Sequence, residues 1–403
     1  MDFIGKACMA GVLVCIAVCP AYGFEKIALI DSEDFASNFD TETVTGTVQV
    51  LEFVAGTGAD TMWWRAKCGG YARYHSKVGD YRKGPYVIDK RRIPGSAGFF
   101  SWADYTRHPV DFIVLAASIC RERGWKFGIH HTLEENHHMG RSMSPWNLEH
   151  PECWTKAIDG APFPGHVAVA YPEAVAYKLA VLDELIDMGP EAIYFDLFRT
   201  GSWSLKWAYV KPVLDRWKAK YGNEPPPTDW KDVRWAAVVA PFEHDYLRAM
   251  RTHIDRAGKK IRFIVGVNHV GSSPDWEYVN HGIDWRMLAK EGVFDGVSVM
   301  SVEPDPKDPW NSTRKIYESV RRDVPSKCAV YFPIMAYNFA GRPGYAEYAK
   351  WTGLSRPECV KRLLELAAQC GGAGITMECV DCGNYNPDVC KVIRDFKPTQ
   401  AEP

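Results

Sequence analysis

The chain has 403 residues, of which 46% are apolar and 24% are charged. This composition is typical of a folded globular protein and excludes a disordered chain. The formal net charge is −2, so no basic excess indicates a nucleic acid as partner. The length suits one large domain, because α/β barrels often exceed the usual domain size.

The first residues are typical of an export signal. Lys6 gives a positive start, an apolar run follows over 7–18, and Ala21-Tyr22-Gly23 has the small-x-small pattern of a cleavage site. The apolar run is too short to span a bilayer, and no later window predicts a membrane span. We therefore expect a cleaved leader over 1–23 and a mature protein that is secreted or periplasmic, without stable membrane insertion.

Beyond the leader, short stretches rich in β-branched and aromatic residues alternate with helical patterns. The helical patterns cover 109–123, 173–188, 241–257 and 356–369, and glycine follows at or near each end as a stop signal. Eight strand–helix units predict a closed (β/α)8 TIM barrel. The predicted strands are 48–53, 61–65, 126–131, 192–197, 262–267, 296–301, 329–334 and 374–378. We assign 24–46 to an N-terminal extension, 47–397 to the barrel and 398–403 to a tail.

The segments that follow the second, third and fourth predicted strands are long, covering 66–107, 132–172 and 198–240. The turns that enter the strands are short. Barrel active sites are built from the loops that follow strands, and long loops in a compact domain are usually functional. The asymmetry therefore predicts a site walled by loops on one face of the barrel.

Asp196 is the sharpest chemical signal, because it is a single acid in the apolar strand Ala-Ile-Tyr-Phe-Asp-Leu-Phe-Arg. A buried carboxylate costs several kcal/mol unless another group compensates it. Arg199 could pair with Asp196 or hold a substrate oxygen. The pair could also be a structural ion pair at the barrel mouth.

Hydrolysis of a glycosidic bond requires a second carboxyl group. Glu303 follows the sixth predicted strand and is the first candidate, and Glu378 ends the eighth strand and is the second. Glu378 could instead be a ligand-orienting acid. We therefore predict catalytic roles for Asp196 with Glu303 or Glu378.

Histidines cluster after the third strand at His130, His131, His137 and His138, which could suggest a metal. However, adjacent strand residues point to opposite faces, so only one of His130 and His131 can face the interior. No His-Glu-x-x-His helix and no complete nucleotide-binding loop is present. We therefore predict neither a metal nor a cofactor, and expect a histidine to hydrogen-bond sugar hydroxyl groups or to serve a structural role.

A series of short motifs runs through the middle of the chain: Glu149-His150-Pro151-Glu152, Trp154, Asp159-Gly160, Tyr171-Pro172-Glu173-Ala174-Val175, and Tyr194 to Arg199. This progression resembles family-10-like glycosyl hydrolases. Cys153 interrupts the first motif, and Glu191-Ala192-Ile193 replaces the family's Asp-Gly-Ile. The strand-four Asp-x-x-Arg is also similar to clan D α-galactosidases. These resemblances imply a carbohydrate-active barrel with a functional acid at Asp196. The clan D analogy implies Asp196 as nucleophile and Glu303 as acid/base.

The sequence thus predicts a secreted glycoside hydrolase with an oligo- or polysaccharide substrate. Two alternatives stay open: a glycan-binding barrel without catalysis, and a metal-dependent hydrolase that uses the histidine cluster. The residues predicted to contact substrate are Arg199, His130, His131, Glu134, Asn268, His269, Tyr337, Trp63, Trp64 and Arg65.

Overall fold

The computed structural model describes residues 23–31, 35, 39, 43–68, 71–78, 109–132, 144–197, 205–269, 276–336, 344–378 and 386–398. The strands are β1 (Glu25–Ile30), β2 (Thr61–Arg65), β3 (Lys67–Cys68), β4 (Tyr71–Ala72), β5 (Lys126–Thr132), β6 (Trp154–Lys156), β7 (Pro162–Val167), β8 (Ala192–Asp196), β9 (Arg262–His269), β10 (Gly296–Val302), β11 (Ala329–Met335) and β12 (Gly374–Glu378). Eight of them close into a parallel barrel in the order β1-β2-β5-β8-β9-β10-β11-β12. The predicted (β/α)8 fold is therefore confirmed.

Helices connect the barrel strands and pack around them. They are α1 (Val44–Gly56), α2 (Phe112–Arg123), α3 (Pro145–Glu149), α4 (Pro172–Asp187), α5 (Lys211–Tyr221), α6 (Val233–Arg256), α7 (Trp276–His281), α8 (Trp285–Glu291), α9 (Pro309–Asp323), α10 (Tyr345–Thr352), α11 (Arg356–Gln369) and α12 (Pro387–Asp395). The predicted helix over 356–369 matches α11, whereas Pro241 lies inside α6 and not at its start. Over the ranges given above, no helix is both long and apolar enough to cross a bilayer.

The first barrel strand is not where the sequence analysis placed it. The segment 48–53 lies in helix α1, and β1 lies within the stretch assigned to an N-terminal extension. Val50, Leu51 and Val54 of α1 are buried at helical spacing, and the Thr43 hydroxyl caps the helix by accepting from the Gly46 N–H at 3.0 Å. Tertiary packing on this apolar stripe outweighs the β-branched composition that suggested a strand. The barrel therefore begins at β1, which pairs with β2 and β12.

Aromatic rings fill the middle of the barrel interior. Trp63 stacks on Tyr194 with ring centroids 4.9 Å apart, and Tyr331 meets Trp63 edge-on at 6.0 Å. Gly128 and Gly266 make room for these rings, because a Cβ at Gly128 would overlap Trp63 and one at Gly266 would overlap the Tyr194 hydroxyl. The interior is a packed core and not a pore. Chemistry is therefore confined to the ends of the barrel.

An ionic network around the buried Glu25 carboxylate closes the amino-terminal end of the barrel. Glu25 accepts hydrogen bonds from Lys126 Nζ at 2.6 Å, Arg262 Nη1 at 2.8 Å and the Tyr331 hydroxyl at 2.8 Å. These side chains come from β1, β5, β9 and β11, so one carboxylate joins four strands. The network leaves the opposite, carboxyl-terminal end as the place for a site.

The long segments after β5 and β8 fold together into an accessory unit beside the barrel. The first supplies the antiparallel hairpin β6–β7, and the second supplies α5. A bridge between Lys156 and Ala208 joins the two segments. Their shared apolar core contains Tyr209, Trp217 and Trp235, with Tyr209 stacked on Trp235 at 4.4 Å. Both segments leave the carboxyl-terminal ends of their strands, on the face where the long loops predicted the site.

Candidate active site

Polar side chains that face the barrel interior lie at the carboxyl ends of the strands, and we call this group the mouth layer. Ile27, Leu29, Trp63, Tyr194 and Ile264 fill the interior below it and fix which residues point inward. Every member of the layer is buried. The members are Asp31, Arg65, His130, Thr132, Asp196, Asn268 and Glu378.

Asp196 ends β8 and is 0% exposed. It lies in register with Thr132 on one side and Gly266 on the other. Its Oδ2 lies 3.4 Å from Nε2 of His130, which is also 0% exposed. A carboxylate and an imidazole are thus in contact at the mouth of a closed barrel, where charge interactions are stronger than in water.

The two adjacent histidines of β5 point to opposite faces, as the sequence analysis predicted. The His130 ring packs edge-on against Tyr194 at 5.0 Å inside the barrel. The His131 ring packs on Phe195 at 5.3 Å, and Phe195 belongs to the core between barrel and helices. The structure therefore corrects the expectation that His131 lines a sugar site, because its side chain faces away from the mouth.

Asp31 is a member of the mouth layer that the sequence analysis missed. It directly follows β1 and forms a buried ion pair with Arg65 at the end of β2. Arg73 Nη1 approaches the other carboxylate oxygen of Asp31 at 3.4 Å. The signal was present in the sequence, since an acid follows the apolar run Ile-Ala-Leu-Ile, but that run had been assigned to an extension.

The two candidates for the second acid occupy different environments. Glu378 ends β12, points into the mouth layer and is buried. Glu303 comes directly after β10 and is exposed. In the barrel order, β10 is two strands from β8 and β12 is four strands away, on the opposite wall.

The two tryptophans of β2 do not reach the mouth. Trp63 lies in the ring layer below it, and Trp64 faces outward into the core between barrel and helices. Both are buried by protein atoms. The expectation that they contact a sugar is corrected for this reason, whereas Arg65 on the same strand does belong to the mouth layer.

Asn268 is buried near the end of β9, and within the described ranges its Oδ1 has no hydrogen-bond partner. A buried amide oxygen without a partner marks a place where a ligand or water donor would fit. His269 ends β9, but its side chain is outside the described part of the structure. Other predicted contacts lie outside the described residues altogether: Glu134, Arg199 and Tyr337.

Within the described part of the chain, no three His, Cys, Asp or Glu side chains are grouped so that they could hold a metal ion. The mouth layer offers instead carboxylates, an imidazole, an amide and one guanidinium group. All of these can hydrogen-bond hydroxyl groups, and the carboxylates and the imidazole can also transfer protons.

Sequence comparisons identify no relative: no family profile matches the chain, and no curated protein matches it. Solved structures do match its fold. The PgaB (BpsB) glycoside hydrolase domain from Bordetella bronchiseptica aligns with a TM-score of 0.58 and 11% identity, over 95% of this chain and 100% of that chain.

An Anoxybacillus alpha-amylase aligns with a TM-score of 0.53 and 9% identity, over 92% of this chain and 77% of that chain. The isomaltulose synthase from Protaminobacter rubrum aligns with a TM-score of 0.52 and 11% identity, over 88% and 64% of the two chains. At these identities the likeness shows a shared barrel fold.

Proposed function

We propose that this chain is a glycoside hydrolase whose active site is the mouth layer. The observation that carries the proposal is the Asp196 carboxylate, buried at the carboxyl end of a barrel strand and in contact with His130. Barrel enzymes place their catalytic groups at this end. Structures that share the fold are described as a glycoside hydrolase domain and an alpha-amylase.

In the proposed mechanism, two carboxyl groups flank the scissile bond. Asp196 acts as the nucleophile or as the base that activates water, and a second acid protonates the leaving oxygen. We favour Glu378 as this acid, because it ends β12 and faces the same mouth layer as Asp196. Exposed Glu303 is nearer to Asp196 in strand order and is the alternative.

The remaining polar groups of the mouth would orient the sugar. Asn268 has an amide oxygen available for a hydroxyl donor, and Arg65 is held in place by Asp31. Arg199, Glu134, His269 and Tyr337 stay predicted contacts. The accessory unit extends from β5 and β8, the strands that carry His130 and Asp196, and would form one wall of a groove for an oligo- or polysaccharide.

We also propose export of the protein. Strand β1 begins at Glu25, two residues beyond the predicted cleavage position after Gly23, so removal of the leader would leave the barrel complete.

The test is a reducing-end release screen over a broad glycan panel with wild-type protein and single-residue variants. We expect Asp196→Asn to lower turnover at least about 100-fold, because the variant loses the charged oxygen while keeping its shape. His131→Gln is the matched control, since its ring faces the helices, and should keep most activity. Glu378→Gln and Glu303→Gln then identify the acid, because only one of them should lose nearly as much turnover as Asp196→Asn.

Near-normal turnover by Asp196→Asn would contradict the assignment. Binding of a glycan without any product would point to the alternative of a barrel that binds and does not cleave. Activity lost on chelation and restored by zinc would favour a metal-dependent hydrolase.

A further inference from the structure

We propose that His130 is a positioning residue for Asp196, and that it holds the carboxylate in one orientation by donating a hydrogen bond from Nε2. This assigns His130 a role other than a direct contact with substrate. Its effect on turnover rests on the proposed glycosidase function, whereas the contact between the two side chains does not.

The geometry of His130 leaves its ring little freedom. The side chain is fully buried, and its ring is held edge-on against Tyr194 at 5.0 Å. Tyr194 is itself stacked on Trp63 at 4.9 Å, so the imidazole is supported by the filled barrel interior. An imidazole held this way approaches Oδ2 of Asp196 from a fixed direction, at 3.4 Å.

This distance is at the long end of the range for a hydrogen bond. Contacts between catalytic groups are often long without substrate and shorten when it binds. A neutral imidazole at Oδ2 orients the carboxylate without cancelling its charge. A protonated imidazole would instead form an ion pair and weaken the carboxylate as nucleophile or base.

The charged groups around His130 determine whether its ring is neutral or protonated. From β8, Asp196 favours the protonated ring. Arg65 of β2 lies in register with His130, and its positive charge disfavours the protonated ring. Arg65 itself forms an ion pair with Asp31, which follows β1. Glu378 belongs to the same layer from β12, and Tyr194 and Asn268 are uncharged members of the surroundings. Asp196 is in direct contact with the His130 ring, at 3.4 Å.

The direct test is an NMR titration of the histidine ring nitrogens in wild-type protein and in Asp196→Asn. The His130 signals are assigned from the spectrum of His130→Gln. If the contact exists, removing the Asp196 charge should lower the titration midpoint of His130 by at least about one pH unit, or shift its tautomer away from the Nε2–H form. The neighbouring His131 is the internal control and should keep its midpoint.

An unchanged midpoint and tautomer for His130 in Asp196→Asn would overturn the proposal, whether or not the protein cleaves a glycan. The kinetic test is separate. With a substrate from the panel, we expect His130→Gln to lower kcat about 10- to 100-fold with little change in KM. Since Gln retains an N–H donor, His130→Ala should lose more than His130→Gln. Equal losses, or a rise in KM alone, would indicate a substrate contact and contradict positioning.

Discussion

Two glycines decide how the barrel interior is packed. Gly128 and Gly266 face the interior opposite Trp63 and Tyr194, and the rings occupy the space that side chains would need. The same rings support His130 from below. At the scale of single residues, the site therefore depends on positions that carry no chemistry of their own.

Replacing Gly128 by alanine should lower the free energy of unfolding by about 1–3 kcal/mol, because the new methyl group overlaps the Trp63 ring in a core that cannot expand. Gly56→Ala is the matched control. Gly56 ends α1 with open space around a Cβ, so alanine there should be neutral or stabilise by up to about 1 kcal/mol. Chemical denaturation measures both. Equal effects of the two substitutions would contradict the described packing.

At the scale of elements, the sequence predicted the number of barrel strands correctly but misplaced the first of them. The strand-end rule placed Asp196 and Glu378 at strand ends, where the structure also has them, and it allowed only one of His130 and His131 to face the interior. It missed Asp31, because β1 follows the predicted leader directly and was taken as an extension. The β-branched segment of α1 was wrongly predicted as the first strand, since composition cannot distinguish a buried strand from a short apolar helix.

Helix α2 shows how one side chain joins an element to the segment before it. Asp111 Oδ1 caps the helix by accepting from the N–H groups of Ile113 and Val114, both at 3.1 Å, and Oδ2 accepts from the His75 N–H at 2.9 Å. Asp111→Ala should therefore lower the free energy of unfolding by about 1–2 kcal/mol. Asp111→Asn retains an oxygen for the cap and should lose less. An equal loss in thermal denaturation of the two variants would show that the cap is not the cause.

At the scale of the whole molecule, the two ends of the barrel carry different polar groups. The amino-terminal end is closed by the Glu25 network, and the carboxyl-terminal end carries the mouth layer. The sequence could not predict which acids share a layer, because that depends on register between strands far apart in the chain. Arg199, Glu134 and Tyr337 remain predictions for the same mouth.

The Glu25 network should make stability depend on pH. Burial alone would raise the pKa of Glu25, but Arg262, with Lys126 and Tyr331, outweighs burial and holds the pKa below its ordinary value of 4.5. A lowered pKa in the folded state stabilises the protein above about pH 4.5, and this stabilisation is lost as pH falls through the folded value. Glu25→Gln should thus cost about 3 kcal/mol at neutral pH and progressively less in acid.

Urea denaturation of wild-type protein and Glu25→Gln across a range of pH measures this difference. Glu52→Gln is the control, since Glu52 forms an exposed ion pair with Arg123 at 3.0 Å, and exposed pairs contribute at most about 1 kcal/mol. If the difference in the free energy of unfolding between wild type and Glu25→Gln stays constant as the pH becomes acidic, the role of the Glu25 charge is contradicted.

The central claim is that the mouth layer hydrolyses a glycosidic bond through Asp196. The most direct measurement is hydrolysis of a responsive glycan in ¹⁸O-labelled water, followed by mass spectrometry of the released sugars. The account predicts label at the anomeric hydroxyl of the product with wild-type protein and with His131→Gln, and unlabelled, intact glycan with folded Asp196→Asn. Equal incorporation of label into the sugars released by Asp196→Asn, or incorporation elsewhere than at the anomeric carbon, would contradict it.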